Sequence, residues 1–215
     1  MTLHRLLYFC AFLPVLLNGA PDIRPLFDGK TLVGWTSKVG SAPGIGWKVE
    51  DGCIVRVAKS GDLYSQASFK NFEFSFEWKV VAGCNSGVKY RVADYSGSVL
   101  GLEYQVLDDA QWKYKPDAKG AAAGLYAIKG PRADKMLKPV GMFNASRVMA
   151  EGSRLEHWLN GKLVVEIEIG SPEWVALHGA SKFKKRPTFG TKKGRIMLQD
   201  HGGKVWFRNL KIREL

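Results

Sequence analysis

The chain has 215 residues, 46% of them hydrophobic and 24% charged, and a formal net charge of +12. That is ordinary composition for a globular protein and enough for one sizeable core. Three cysteines with no CxxC spacing and no Cys/His cluster argue against a structural zinc site.

The first twenty residues, MTLHRLLYFCAFLPVLLNGA, stand apart. Arg5 is followed by an apolar run from Leu6 to Leu17, then by the small residues Gly19 and Ala20. This is the layout of a secretory signal peptide, although Asn18 makes an imperfect cleavage site. The run is short for a membrane span, and no second hydrophobic segment follows. No cysteine closes the run, which argues against a lipid anchor. The expected organisation is a leader over residues 1–20 and one domain over 21–215, exported to the periplasm or the outside. An oxidising compartment permits a Cys53–Cys84 disulfide; two separate buried thiols are the alternative.

From there the chain reads as strands and turns. GWKVEDGCIVRV is a strand pair turning at Asp51-Gly52. In NFEFSFEWKVV, Phe72, Phe74, Phe76, Trp78 and Val80 face one way, and Glu73, Ser75, Glu77 and Lys79 the other. In NSGVKYR, Val88 and Tyr90 oppose Lys89 and Arg91. In GLEYQVLDD, Leu102, Tyr104 and Val106 form an apolar face opposite Glu103 and Gln105, and Asp108 and Asp109 close the run. The polar face is either a solvated exterior or a binding cleft.

Residues 111–124 read as a long loop. RLEHWLNGKLVVEIEI is a hairpin turning at Asn160-Gly161. A two-residue turn pairs Trp158 with Leu163 and His157 with Val164. Trp158 then falls on the core side and His157 on the polar side. Most of 170–193 reads as loop. It holds much of the basic run SKFKKRPTFGTKKGR, residues 181–195. Export argues against nucleic acid as the partner of that run. A solvated loop, or contact with an anionic polysaccharide or envelope surface, remains. In RIMLQDHG, Ile196 and Leu198 oppose Met197, Gln199 and His201. No segment shows a helical period. The expected fold class is all-β, a sandwich of two antiparallel sheets or a jelly roll.

The runs LFDGKTLVGW, WKVEDGCI, GCNSGVKYR, GLEYQVLDD, GLYAIK, LEHWLNGK and GRIMLQDHGGKVWFRNLKI, in this order, resemble the 3-keto-disaccharide hydrolase family over roughly residues 25–215. The resemblance implies a concanavalin-like jelly roll, a carbohydrate partner and chemistry on sugars oxidised at carbon 3. It places Glu103, Gln105 and Asp108 in a concave cleft with Arg91, His157 and the Gln199-Asp200-His201 group. A ketone at carbon 3 acidifies the proton on carbon 2. Its removal gives an enolate that expels the glycosidic oxygen from carbon 1, and water adds back.

Under this reading His157 or His201 is the base, and Arg91 holds the enolate oxygen. Glu103 and Asp108 orient hydroxyls, act as acid or base, or bind a divalent metal that polarises the ketone. Family members often carry a histidine shortly after the aspartate of the E-x-Q-x-x-D run, and Trp112 stands near that place here. Trp112 is then a sugar-stacking platform or a loop residue packed on the sandwich. Tyr126 lines the cleft or belongs to the core. The competing readings are a lectin-like carbohydrate-binding module and a structural domain of the envelope.

Overall fold

The computed structural model describes residues 22–215. The leader-like segment, Cys10 included, lies outside the described residues. Short strands β1 (Arg24–Pro25) and β2 (Trp35–Thr36) precede the hairpin of β3 (Trp47–Glu50) and β4 (Cys53–Arg56). Then come β5 (Leu63–Phe69), β6 (Phe72–Val80), β7 (Asn85–Asp94) and β8 (Val99–Leu107). A one-turn helix α1 (Asp109–Trp112) and a long loop lead to β9 (Asn144–Glu151). The hairpin of β10 (Arg154–Leu159) and β11 (Lys162–Glu168) is followed by helix α2 (Pro172–Gly179), β12 (Gly194–Leu198) and β13 (Val205–Glu214).

Two antiparallel sheets pack face to face. One runs β11-β10-β9-β6-β13-β4-β3, with β1 on β13; the other runs β2-β5-β12-β7-β8. The alternation in β6 is the clearest link from sequence to packing. Phe72, Phe74, Phe76 and Trp78 are all buried. Phe74 and Phe76 stack at 5.1 Å, and the Tyr104 ring of the facing sheet meets Phe76 edge-on at 5.3 Å. The β3–β4 and β10–β11 turns sit at Asp51-Gly52 and Asn160-Gly161, with positive φ at all four residues, as the turn chemistry requires.

Two expectations need correction. Helix α2 lies within the stretch read as loop. Ser171 caps it by accepting from the Trp174 N–H, and Pro172 opens it. Its eight residues are too short to show a period. The hairpin is also bulged. Trp158 pairs with Leu163 as expected, but His157 pairs with Val165, and the register shifts between His157 and Trp158. The extra residue reverses the faces. His157 is buried in the core, and Trp158 sits outside against the Arg147 guanidinium, 4.1 Å from its ring centre. Cys53 and Cys84 are two separate buried thiols. Among the described residues, no helix is long and apolar enough to cross a membrane.

Candidate active site

The β5-β12-β7-β8 part of the second sheet is covered on both faces. Its inner face joins the core. On its outer face Tyr64, Val92 and Met197 form a small apolar cluster separate from that core. Lys89 and Glu103 are register partners across β7 and β8 and extend this face. Tyr64, Lys89, Glu103 and Met197 floor a cavity of about 570 Å³, walled by Lys182, Phe183, Lys185 and Arg186 from the loop after α2.

Glu103 is the centre of the site. It is only 6% exposed. Its carboxylate leans over Gly87, where an added Cβ would lie 2.5 Å from Glu103 Oε1. A glycine at 87 is therefore what lets the carboxylate settle against the sheet. Lys89 Nζ stands 3.6 Å from Glu103 Oε2. Burial pushes the Glu103 carboxyl above the ordinary carboxylate range, more than Lys89 and Lys182 pull it down, and Asp62 adds to the rise.

The Lys182 ammonium lies 4.3 Å over the Tyr126 ring. Partial burial lowers its pKa; Glu103 opposes that shift and Lys89 adds to it. Tyr64 donates a long hydrogen bond (3.5 Å) to Asp62, and burial with the nearby Asp62 charge pushes its hydroxyl up to about 12. The site thus combines one carboxyl of raised pKa, two ammonium groups within its electrostatic reach and a hydroxyl that stays protonated. Such a set has the chemistry that a base, an oxyanion partner and proton donors require.

The other candidate residues are placed as follows. Gln105 shares the outer face of β8, but it donates to Asn85 Oδ1 (3.0 Å) and its Oε1 is buried without a partner. Gln199 Oε1 is likewise buried and unpaired, just past β12. Tyr126 is half-buried beneath Lys182, its N–H donating to the Glu103 carbonyl (3.0 Å). His201 is exposed on the turn after β12 and does not line the cavity.

Besides His201, five expected cleft residues lie elsewhere: His157, Arg91, Asp108, Asp200 and Trp112. His157 is 1% exposed, with Nδ1 3.0 Å from the Ala123 carbonyl and Nε2 2.9 Å from the Tyr90 hydroxyl. Burial lowers its pKa to about 4. It is a neutral core histidine.

Arg91 is fully buried with φ +50°, at a register shift between Tyr90 and Ala93. The bulge turns it off the outer face. Its guanidinium donates to the Lys70, Gly190 and Gly152 carbonyls at 2.8, 3.0 and 3.0 Å.

Asp108 caps α1, accepting from the Ala110 and Gly83 N–H groups at 3.2 and 2.9 Å. Asp200 turns to Arg56 and to the Ser60 and Gly61 N–H groups at 2.6 and 2.7 Å. Burial alone would raise its pKa, but these donors hold it below the usual range.

A second cavity of about 580 Å³ lies at the α1 end, lined largely by apolar residues such as Val80, Leu107 and Leu137. Its acids are occupied: Asp108 is the cap, and Asp109 pairs with Lys135 at 2.6 Å. Trp112, 42% exposed, donates to the Gly83 carbonyl (3.2 Å) and stacks on Tyr114 on this side of the molecule. It does not line the cavity at Glu103.

The residues present do not fit a divalent metal held by Glu103 and Asp108, because Asp108 is spent on backbone donors at α1. Among the described residues, no three His, Cys, Asp or Glu side chains converge as a ligand set.

Sequence reasoning missed Asp62, Tyr64, Lys89 and Lys182. Lys89 was on the polar side of its strand by parity alone, directly opposite Glu103. Lys182 was hidden in a basic run that reads as solvated. Asp62 and Tyr64 carried no local signal.

Comparison with known proteins bears on the fold and the family. The model of the 3-keto-alpha-glucoside-1,2-lyase-like domain matches residues 22–213. A 3-keto-disaccharide hydrolase of Bacteroides thetaiotaomicron is 32% identical, over 88% of this chain and 77% of its own length. A candidate glycosyl hydrolase of known structure from Parabacteroides distasonis is 32% identical. It aligns with a TM-score of 0.78 over 90% of this chain and 94% of its own. The carbohydrate-binding module CBM66 of Bacillus subtilis shares the fold at 18% identity, with a TM-score of 0.53 over 84% of this chain and 96% of its own. The chain therefore belongs to the 3-keto-alpha-glucoside-1,2-lyase-like family, a family of glycoside-cleaving enzymes.

Proposed function

We propose that this protein is an exported enzyme that cleaves 3-keto-glycosides, 3-keto-disaccharides among them, by elimination and hydration, with Glu103 as the base. The observation that carries the reading is a buried carboxyl of raised pKa beside two ammonium groups in one sugar-sized cavity.

With the keto ring on the floor, Glu103 takes the proton from carbon 2. The electron pair moves into the enolate, whose oxygen at carbon 3 is held by Lys89. The enolate then expels the glycosidic oxygen from carbon 1, and Lys182, with its lowered pKa, supplies the proton to that oxygen. Water adds to carbon 1 of the resulting enone and gives its proton to the neutral Lys182 amine, while Glu103 returns the proton to carbon 2, so both groups regain their starting states. The net outcome is hydrolysis, and it needs no second carboxylate of the paired kind. Export rests on the Arg5 and Leu6–Leu17 pattern of the first twenty residues.

The test is Glu103→Gln assayed on a chemically oxidised 3-keto-disaccharide. Loss of the base should lower kcat by about 10²–10⁴-fold, with KM changed far less. In the unaltered protein kcat/KM should fall as pH drops through the raised pKa of Glu103, above the ordinary carboxylate range. A Glu103→Gln variant with unchanged kcat would remove Glu103 from the chemistry. A wild-type protein that binds the keto-disaccharide and never cleaves it would leave a binding module on the same fold.

A further inference from the structure

The cavity holds more positive charge than the proposed chemistry uses. Five cations line it, Lys38, Lys89, Lys182, Lys185 and Arg186, against two carboxylates, Asp62 and Glu103. Lys89 and Lys182 are the two whose charge reaches Glu103. Lys38, Lys185 and Arg186 are left over, and none of them has a carboxylate within ion-pair distance among the described residues.

Two of these three do not sit on a loose loop. Ser181 donates to the His178 carbonyl (2.7 Å) and accepts from the Phe183 N–H (3.0 Å). The buried Phe183 ring stacks on Phe189 at 4.1 Å. The Arg186 N–H closes the turn on the Phe183 carbonyl (2.8 Å), and its guanidinium donates to Ser98 Oγ (2.9 Å), across the cavity mouth on the β7–β8 turn. The backbone that carries Lys185 and Arg186 is thus held at the wall by an aromatic anchor. The Lys185 side chain is exposed, and the half-buried Arg186 guanidinium makes one further long contact, to the Lys185 carbonyl (3.5 Å), with most of its donors still free. Water solvates exposed cations at little cost, but three of one sign at one cavity mouth, with no carboxylate to neutralise them, raise the local concentration of anionic ligands and favour them over neutral ones.

We infer that the cavity selects glycosides whose leaving sugar carries an anionic substituent, a carboxylate or a sulfate ester, received by Lys185 and Arg186 with Lys38 at the rim. The inference rests on the hydrolase reading for the placement of the keto ring at Glu103. The cavity, about 570 Å³, has room for a second ring beyond it. The anion would lie on that second ring, where a planar guanidinium can take two of its oxygens at once.

The test compares three 3-keto-glucosides whose leaving sugar is glucose, glucuronate or glucose sulfate. Wild type should favour at least one anionic substrate by about tenfold or more in kcat/KM, as charge-assisted hydrogen bonds imply. The preference should shrink when salt is raised to about 0.5 M. In the double variant Lys185→Gln, Arg186→Gln the anionic-to-neutral ratio should fall to near one. The glucuronate and sulfate arms identify which group is read.

Equal turnover of neutral and anionic substrates by wild type overturns the inference, as does a preference that survives the double substitution. If wild type cleaves none of the three, the hydrolase reading fails instead. Binding of the unoxidised disaccharides then decides this inference by itself. Tighter binding of an anionic one, lost in the double variant, upholds it; equal binding overturns it.

Discussion

His157 makes a sharp test of the placement of the core. Its ring is buried between a carbonyl that can only accept and a tyrosine hydroxyl. Nδ1–H therefore donates to Ala123, and Nε2 accepts from Tyr90. A proton on Nε2 would face the Tyr90 O–H in a site without solvent. Burial accordingly lowers the pKa to about 4, from the ordinary histidine value of 6.5.

Between those two values the unfolded chain binds a proton that the folded one refuses. The stabilisation is fully present above pH 6.5 and is lost as pH falls towards 4. Each unit is about 1.4 kcal/mol, so the loss amounts to about 3 kcal/mol. The assay is urea unfolding of wild type and His157→Gln at half-unit steps from pH 4 to 8. At pH 7.5 the variant should be less stable, because Tyr90 and Ala123 lose a matched partner. The gap should then narrow by about 3 kcal/mol on going to pH 4, since glutamine does not titrate. Taking the difference between the two proteins cancels the carboxylates that titrate in the same range. A gap that stays constant with pH would refute the buried, neutral assignment. The same variant should keep its kcat when folded, because the ring lies in the core and not against the cavity.

One further expectation comes from the cavity floor and one from the N-terminal sequence. Gly87→Ala would place a methyl group 2.5 Å from Glu103 Oε1, so the carboxylate must swing away. Because the obstacle is the end of a flexible side chain, thermal stability should change little while kcat falls by about 10²-fold, as misplacing a catalytic group does; an unchanged kcat would mean that the Glu103 position is not critical. Export predicts that N-terminal sequencing of the native protein returns a start near Pro21, and recovery of Met1 would reject it.

Much of this molecule was legible residue by residue. The alternation in β6 and β8 and the turn residues Asp51-Gly52 and Asn160-Gly161 report interactions that span a few positions, so they could be read without knowing what lies opposite. Parity also put Lys89 and Glu103 on polar faces of their strands. What it could not report was a bulge. One extra residue near Arg91 and another near His157 reverse the faces, and each depends on the register of a partner strand rather than on the local sequence. Arg91, expected to hold the enolate oxygen, and His157, one of the two expected bases, were for that reason buried. The cavity wall was equally out of reach. Lys182, Lys185 and Arg186 meet Glu103, some eighty residues earlier in the chain, only because Phe183 and Phe189 pin their loop against the sandwich. A long-range contact of this kind leaves no period in the sequence. The burial that raises the pKa of Glu103 comes from that covering, so the chemistry of the site was decided by the tertiary structure.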